Sequence, residues 1–253
     1  MIELSWTFFA LAVPAVIFAG VSKGGFGSGA SFASAAVMAL ILPPDLALGL
    51  MLPLLMLIDV GSLPTYWGKW SRRDVIRILW GALPGVALGV AVFRFADPDV
   101  IRFLIGAVAL TFVAWQIAKS RGLVPTPARA LGAGAGLLTG AVAGFTSFVS
   151  HAGGPPVAVY LLSQRLDKLT YQASTVLIFW VVNILKFIPY AALGAFTADT
   201  WRAVLLLAPV ALFGTWLGVV AHRIVPERLF FAITYVLLVL TGTRLIWQAL
   251  SAG

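Results

Sequence analysis

The sequence predicts an all-α membrane protein, a polytopic bundle of transmembrane helices, and three observations support that prediction. First, 61% of the 253 residues are hydrophobic and only 10% are charged, which leaves too little polar surface for a water-soluble domain. Second, the apolar residues form runs long enough to cross a hydrocarbon core about 30 Å thick as helices. Third, no polar stretch is long enough to fold separately, which excludes a soluble catalytic module.

Ten apolar runs follow one another along the chain, and polar residues or Gly/Pro breaks separate them. A basic loop from Lys119 to Arg129 divides them into two sets of five. The second run of each set is too short for an easy crossing, so we expect a half-helix packed inside the protein. The first five runs are 5–21, 28–42, 46–66, 75–94 and 99–118, and the second five are 131–149, 153–163, 171–194, 201–221 and 229–250.

The two sets contain similar features in the same order, which predicts an internal duplication. Gly85-x3-Gly89 corresponds to Gly214-x3-Gly218, and Asp59 has a near counterpart in Asn183. Because each repeat has an odd number of segments, the second repeat must be inverted in the membrane relative to the first. The predicted organisation is a first transmembrane repeat over 1–120, a cytoplasmic linker over 121–128 and an inverted second repeat over 129–253.

The placement of basic residues predicts the orientation. If the loop at 67–77 is cytoplasmic, the cytoplasmic breaks hold eleven basic residues and the outer breaks hold three, a bias that puts both termini outside. The same bias explains the net charge of +8, so we expect the lipid bilayer and no nucleic acid as a partner. The expected location is the cell membrane, as a multi-pass protein of a bacterial inner membrane.

Catalytic and metal-binding motifs are missing from the sequence. The chain has no cysteine, which excludes disulfides and thiolate metal sites. It also has no HExxH, GxSxG or GxxxxGK[ST] motif and no His/Cys/Asp/Glu cluster at metal-ligand spacing,. We therefore expect a protein that is not an enzyme and that has no cofactor and no metal site.

Glycine recurs every fourth residue in two runs, from Gly132 to Gly144 and from Gly81 to Gly89. Small residues at this spacing form one helix face and let two backbones approach closely in lipid. The pattern predicts tight helix packing within one protein chain. A homodimer interface is the secondary interpretation.

Two other Gly-rich stretches, 22–29 and 147–156, occupy the first break of each repeat. A helix that restarts after such a break has unpaired N–H groups that bind anions, and in an inverted repeat the two breaks would meet near the membrane midplane. The alternative is that each stretch is a tight turn at the surface. The candidate substrate-binding residues are Ser22, Lys23, Gly24, Gly25, Phe26, Gly27, Ser28, Ser147, Phe148, Ser150, His151, Gly153 and Gly154.

Ionisable residues at membrane depth are functional candidates because they are costly to bury. Lys23 and Lys186 could hold an anion as point charges, and His151 could carry a proton. Asp59, Asn183 and Lys186 are candidates for coupling or charge balance. The alternatives are that Lys23 reaches the interface, that Lys186 pairs with Asp59, and that His151 is a hydrogen-bonded structural residue.

The ordered pair of glycine-rich segments, Ser22-Lys-Gly-Gly-Phe-Gly-Ser-Gly29 and His151-Ala-Gly-Gly-Pro-Pro156, resembles the TauE/SafE family of sulfite exporters and related anion permeases. The resemblance extends over nearly the whole chain, including its duplicated halves. It implies transport of a sulfur-containing anion such as sulfite or an organosulfonate. Lys23 and Phe26 depart from an all-glycine first motif, which could reflect a particular substrate class.

The sequence therefore predicts a secondary transporter that works by alternating access, with a small anionic substrate held between the two breaks. A membrane enzyme acting on a lipid phosphate is one alternative, and it predicts a single polar pocket without symmetry. A passive anion channel is the other, and it predicts flux without coupling.

Overall fold

A computed structural model describes residues 2–26, 30–124 and 129–251. Within these ranges the chain is helical and has no strand, so the all-α prediction is confirmed. Eight helices are long and apolar enough to span a membrane, as a multi-pass protein requires. The helices are α1 Trp6–Val21, continued by a π-helical segment Ser22–Phe26, α2 Phe32–Met38, α3 Pro44–Tyr66, α4 Arg72–Phe95, α5 Pro98–Ser120, α6 Ala133–Ser150, α7 Gly154–Ser163, α8 Lys168–Ala192, α9 Ala198–Ile224 and α10 Glu227–Ser251.

Side-chain caps fix the starts of α8 and α9. Asp167 caps α8, and its carboxylate accepts hydrogen bonds at 3.0 Å from the backbone N–H groups of Leu169 and Thr170. The hydrogen bonds from Thr170 hold the pKa of the Asp167 carboxyl below its usual value. Thr197 and Thr200 form a capping box at the start of α9. These caps satisfy N–H groups that have no partner within the helix.

The short helices α2 and α7 turn back toward the side from which their preceding helices come. At the end of α7, the side-chain amide of Gln164 donates to the carbonyl of Leu131 at 3.0 Å, just before α6 begins. At the end of α2, residues 41–43 share a surface cavity with Glu3, Ser5 and Phe8 at the start of α1. The pairs α1–α2 and α6–α7 are therefore helical hairpins, and neither short helix crosses the membrane on its own.

The first hairpin differs from the sequence prediction at its tip. We expected a helix break from Ser22 onward, but α1 continues as a π-helix to Phe26. Backbone N–H groups in a π-helix bond to carbonyls five residues earlier. Gly24 and Gly25 therefore lie at the C-terminal end of a helix, and such an end carries partial negative charge. The prediction that these two residues belong to the start of a new helix is wrong. Gly27 and Ser28 lie outside the described residues.

Glycines hold the helix pairs α4–α6, α1–α9 and α5–α10 in close contact. A Cβ on Gly140 would collide with the carbonyl oxygen of Ile78 in α4, and a Cβ on Gly85 with that of Ala141 in α6. The prediction of tight packing within the chain is confirmed for the remaining positions Gly81, Gly89, Gly136 and Gly144 as well. Gly132 is the exception, since nothing lies within 4 Å of the Cβ it would carry.

We predict that Gly140→Ala lowers stability, because the added methyl group forces the backbones of α4 and α6 apart. Overpacking of this kind costs about 1–3 kcal/mol. The matched control is Gly134→Ala in the same helix, where a Cβ meets nothing within 4 Å and the helix propensity of alanine is higher. Thermal unfolding in detergent should show a lower midpoint for Gly140→Ala alone. Equal midpoints for the two variants would contradict the assigned packing role.

Candidate functional site

A buried ion pair joins the tip of the first hairpin to α3. The ammonium of Lys23 lies 2.5 Å from the Asp59 carboxylate, and their relative exposures are 5% and 1%. The amide of Asn183 in α8 donates to the second carboxylate oxygen of Asp59 at 2.7 Å. Lys23 is thus a buried residue rather than one that reaches the interface, and its partner is Asp59.

A second polar group joins the tip of the second hairpin to α8. The ammonium of Lys186, which is fully buried, donates to the carbonyl of Ser147 at 3.0 Å and lies 2.8 Å from His151 Nδ1. His151 Nε2 lies 3.0 Å from the carbonyl oxygen of Leu48 in α3. Because a carbonyl can only accept, Nε2 carries a hydrogen and Nδ1 is left to face the lysine.

The two polar groups form one continuous stretch through the protein. Asn183 and Lys186 are three residues apart on α8, so they lie on the same helix face. On α3, Leu48 and Asp59 are eleven residues apart, which corresponds to about 16 Å along a helix. Buried polar groups therefore cover about half the thickness of a hydrocarbon core.

The two buried lysines of this stretch differ in their partners. Lys23 is neutralised by Asp59, but no carboxylate lies within 4.0 Å of the Lys186 ammonium among the described residues. Lys23, Asp59, Asn183, His151 and Lys186 are hereafter called the polar cluster, and it contains two lysines for one carboxylate. An uncompensated buried cation is costly, and an anion bound beside it would reduce that cost.

A cavity of ≈ 500 Å³ lies beside the π-helical segment that carries Lys23. It lies between the π-helical segment, the end of α3, the start of α8 and α9. Gly24 and Gly25, which directly follow Lys23, form part of its wall. The hydroxyls and amides on its walls come from Ser62, Thr65, Tyr66, Gln172 and Thr215. The cavity could admit a small hydrated solute to the vicinity of the Lys23–Asp59 pair.

The other candidate residues have local packing contacts. Phe26 stacks on Phe230 with ring centroids 4.1 Å apart, and the Ser150 hydroxyl donates to the carbonyl of Thr146 at 2.8 Å. Gly24 and Gly25 pack against the backbone of α9 so closely that a Cβ would collide with it. Ser22, Ser147, Phe148, Gly153 and Gly154 are also buried, and they lie in or beside the two hairpin tips.

Two groups in contact with His151 were not predicted from the sequence. Tyr190 stacks beside the His151 ring and donates its hydroxyl to the Phe148 carbonyl at 2.6 Å. The Leu48 carbonyl, which lies 3.0 Å from His151 Nε2, could not be singled out, because every residue carries a backbone carbonyl. Tyr190 could have been found, because its spacing from Asn183 and Lys186 is i, i+3, i+7, which places all three on one face of α8.

Comparison with known proteins gives one match. The family model described as "Sulfite exporter TauE/SafE" matches residues 12–245, nearly the whole chain. No curated protein and no solved structure gives a significant match.

We predict that the two buried lysines differ in their effect on stability. Lys23→Met leaves the Asp59 carboxylate buried without its cation, which typically costs about 3–5 kcal/mol. Lys186→Met removes a buried amine that has no carboxylate partner, and the Ser147 carbonyl still accepts the N–H of His151. Thermal unfolding of the ligand-free protein should therefore show a large loss for Lys23→Met and little or none for Lys186→Met. The reverse order would show that Lys186, not Lys23, is the cation that Asp59 compensates.

Proposed function

Because the chain belongs to the sulfite exporter TauE/SafE family, a family of membrane transporters, we propose that it is a secondary transporter of a small sulfur-containing anion. The substrate is sulfite or an organosulfonate, moved across the cytoplasmic membrane by alternating access. The observation that carries this proposal is the buried side-chain amine of Lys186, which has no carboxylate within ion-pair distance in the described part of the chain. An anion is the ligand that such a site lacks.

The anion binds between the tips of the two hairpins, beside Lys186 and His151. The oxygens of a sulfite or sulfonate group can accept several hydrogen bonds at once, and charge-assisted bonds are the strongest of these. Gly153 and Gly154 at the start of α7 offer backbone N–H groups, whereas Pro155 and Pro156 have none. The ammonium therefore supplies more of the binding energy than the helix start does.

The pairing of helices supports two inverted repeats, over 1–120 and 129–253, as the basis of alternating access. If α1–α5 correspond in order to α6–α10, then the packing of α1 on α9 corresponds to that of α6 on α4. The contacts α3–α8 and α5–α10 then join each helix to its own counterpart. Asp59 and Asn183, counterparts in the sequence, hydrogen-bond to each other at 2.7 Å. Such an arrangement permits one repeat to rock against the other around a central site.

The cavity beside Gly24 and Gly25 is the access path from the cytoplasm. It opens where α3 ends and α8 begins, which is the side of the basic loop at 67–77. Gly24 and Gly25 of its wall directly follow Lys23, whose ion pair with Asp59 is buried. A passive channel would need a continuous opening at this point, and the buried ion pair argues for a closed barrier instead.

The proposed orientation can be tested by labelling, because the natural chain has no cysteine. We predict that Lys69→Cys reacts with a membrane-impermeant maleimide only from the cytoplasmic side and Ser251→Cys only from the outside. Right-side-out and inside-out vesicles distinguish the two directions. Labelling of both positions from the same side would contradict the proposed topology.

The anion site can be tested with purified protein in detergent. We predict that a sulfonate or sulfite raises the unfolding temperature of the natural protein, because ligands that bind only the folded state stabilise it by mass action. Lys186→Gln should remove this shift, whereas Lys69→Gln, an exposed lysine of the loop after α3, should retain it. An unchanged shift in a well-folded Lys186→Gln protein would place the anion elsewhere.

A further inference from the structure

In the described part of the chain, one side-chain hydroxyl connects the short helix α7 to the first half by hydrogen bonds. The polar side chains of α7 are Tyr160 and Ser163. The Ser163 hydroxyl bonds within the second half, to the carbonyl of Tyr160 and the N–H of Leu131, whereas the Tyr160 hydroxyl bonds to Asp74 and Arg77 of α4. We infer that Tyr160 is a reversible latch, by which the end of α7 opens and closes on α4 while the rest of the protein stays folded.

The start of α4 provides a preformed binding place for this hydroxyl. The Tyr160 hydroxyl donates to Asp74 Oδ1 at 3.1 Å and accepts from Arg77 Nη1 at 3.2 Å. The other carboxylate oxygen of Asp74 accepts from the Ser71 hydroxyl at 2.6 Å. Ser71, Asp74 and Arg77 are three residues apart, so the start of α4 presents them on one face. The hydroxyl from α7 enters a group that α4 has already assembled.

The charged groups of α4 have partners even without Tyr160. The Arg77 guanidinium lies 3.8 Å from Asp74, longer than a hydrogen bond, and the Tyr160 hydroxyl bridges the two. The same spacing occurs at the start of α5, where Arg102 donates directly to Asp99. Asp74 and Arg77 can therefore pair directly when α7 moves away. A contact whose polar groups are satisfied in both positions can switch between them.

The latch lies where water can take part in its opening. Tyr160 is three residues from the end of α7, and its partners on α4 lie beside the exposed side chains of Arg72 and Arg73. Hydrogen bonds that break here are replaced by bonds to water, so opening costs less than it would in hydrocarbon. The long helix α6, by contrast, is held on α4 by backbone contacts at Gly85 and Gly140. The part of the hairpin that moves is therefore α7.

The other half of the chain has no corresponding latch in its described part. In the proposed repeats, Asp199 and Arg202 at the start of α9 correspond to Asp74 and Arg77. They lie 3.8 Å from each other, the Arg202 side chain is 73% exposed, and no hydrogen bond joins either side chain to the first hairpin among the described residues. Resting on the function proposed above, the opening of α7 would thus give alternating access one mobile hairpin rather than two.

Cysteine reactivity can measure this opening, because the natural chain has no cysteine. Leu161→Cys places a thiol beside Tyr160 at a fully buried position of α7. A maleimide should label it at least about tenfold faster when Tyr160→Phe removes the hydroxyl, because a hydrogen bond to a charged group is lost and labelling follows the open fraction. The matched control is Tyr235→Phe, which removes a hydroxyl bonded to Gln116 of α5 and should leave the rate unchanged. An equal rate with and without the Tyr160 hydroxyl would overturn the inference.

A second reporter distinguishes a latch from a general loss of stability. Leu207→Cys lies at a fully buried position of α9, and its labelling rate should not change with Tyr160→Phe. A parallel increase at Leu161→Cys and Leu207→Cys would show that Tyr160 only stabilises the fold, and the latch would be rejected. Neither measurement contains a substrate, so the result is independent of the proposed function. A confirmed latch in a protein that transports neither sulfite nor a sulfonate would stand, while the proposed function would fail.

Discussion

Hydrocarbon offers no partner to a polar group, so every charge at membrane depth in this protein must find its partner within the chain. The Lys23–Asp59 ion pair meets this constraint across 36 residues of sequence, from the π-helical segment to α3. Lys186 meets it only in part, since its contacts are a carbonyl and an imidazole nitrogen. The remaining features of the site follow from how the fold buries these two lysines.

Burial at this depth depends on the glycines. Helices in lipid gain no hydrophobic free energy by associating, so close packing must hold them together. Gly140 and Gly85 bring α6 against α4, and Gly25 brings the π-helical segment against Gly218 of α9. Each hairpin is thereby fixed through its long helix against the opposite half of the chain. The tips, which carry Lys23 and His151, are held in position against α3 and α8.

The sequence predicted the helices well and the contacts of the site only in part. Hydropathy locates the spans, because a long apolar stretch in a chain of this composition forms a transmembrane helix. It could not show that α1 continues to Phe26, since the π-helical segment packs on α9, nearly 200 residues further along the chain. The cost of burying ionisable side chains in a membrane identified four candidates, Lys23, Asp59, His151 and Lys186. It did not show which of these residues contact one another. Pairing depends on which helices cross, and hydropathy contains no information about that.

The two halves use the same construction with different charges. In each, a residue of the hairpin tip meets a residue of the long helix that follows the hairpin: Lys23 meets Asp59, and His151 meets Lys186. If both halves had kept a lysine–carboxylate pair, the centre would be neutral and would have little affinity for an anion. If neither had a carboxylate, two buried cations would repel each other and destabilise the empty protein. The protein instead has one lysine–carboxylate pair and one lysine without a carboxylate, and the anion proposed as the substrate would supply the partner that Lys186 lacks.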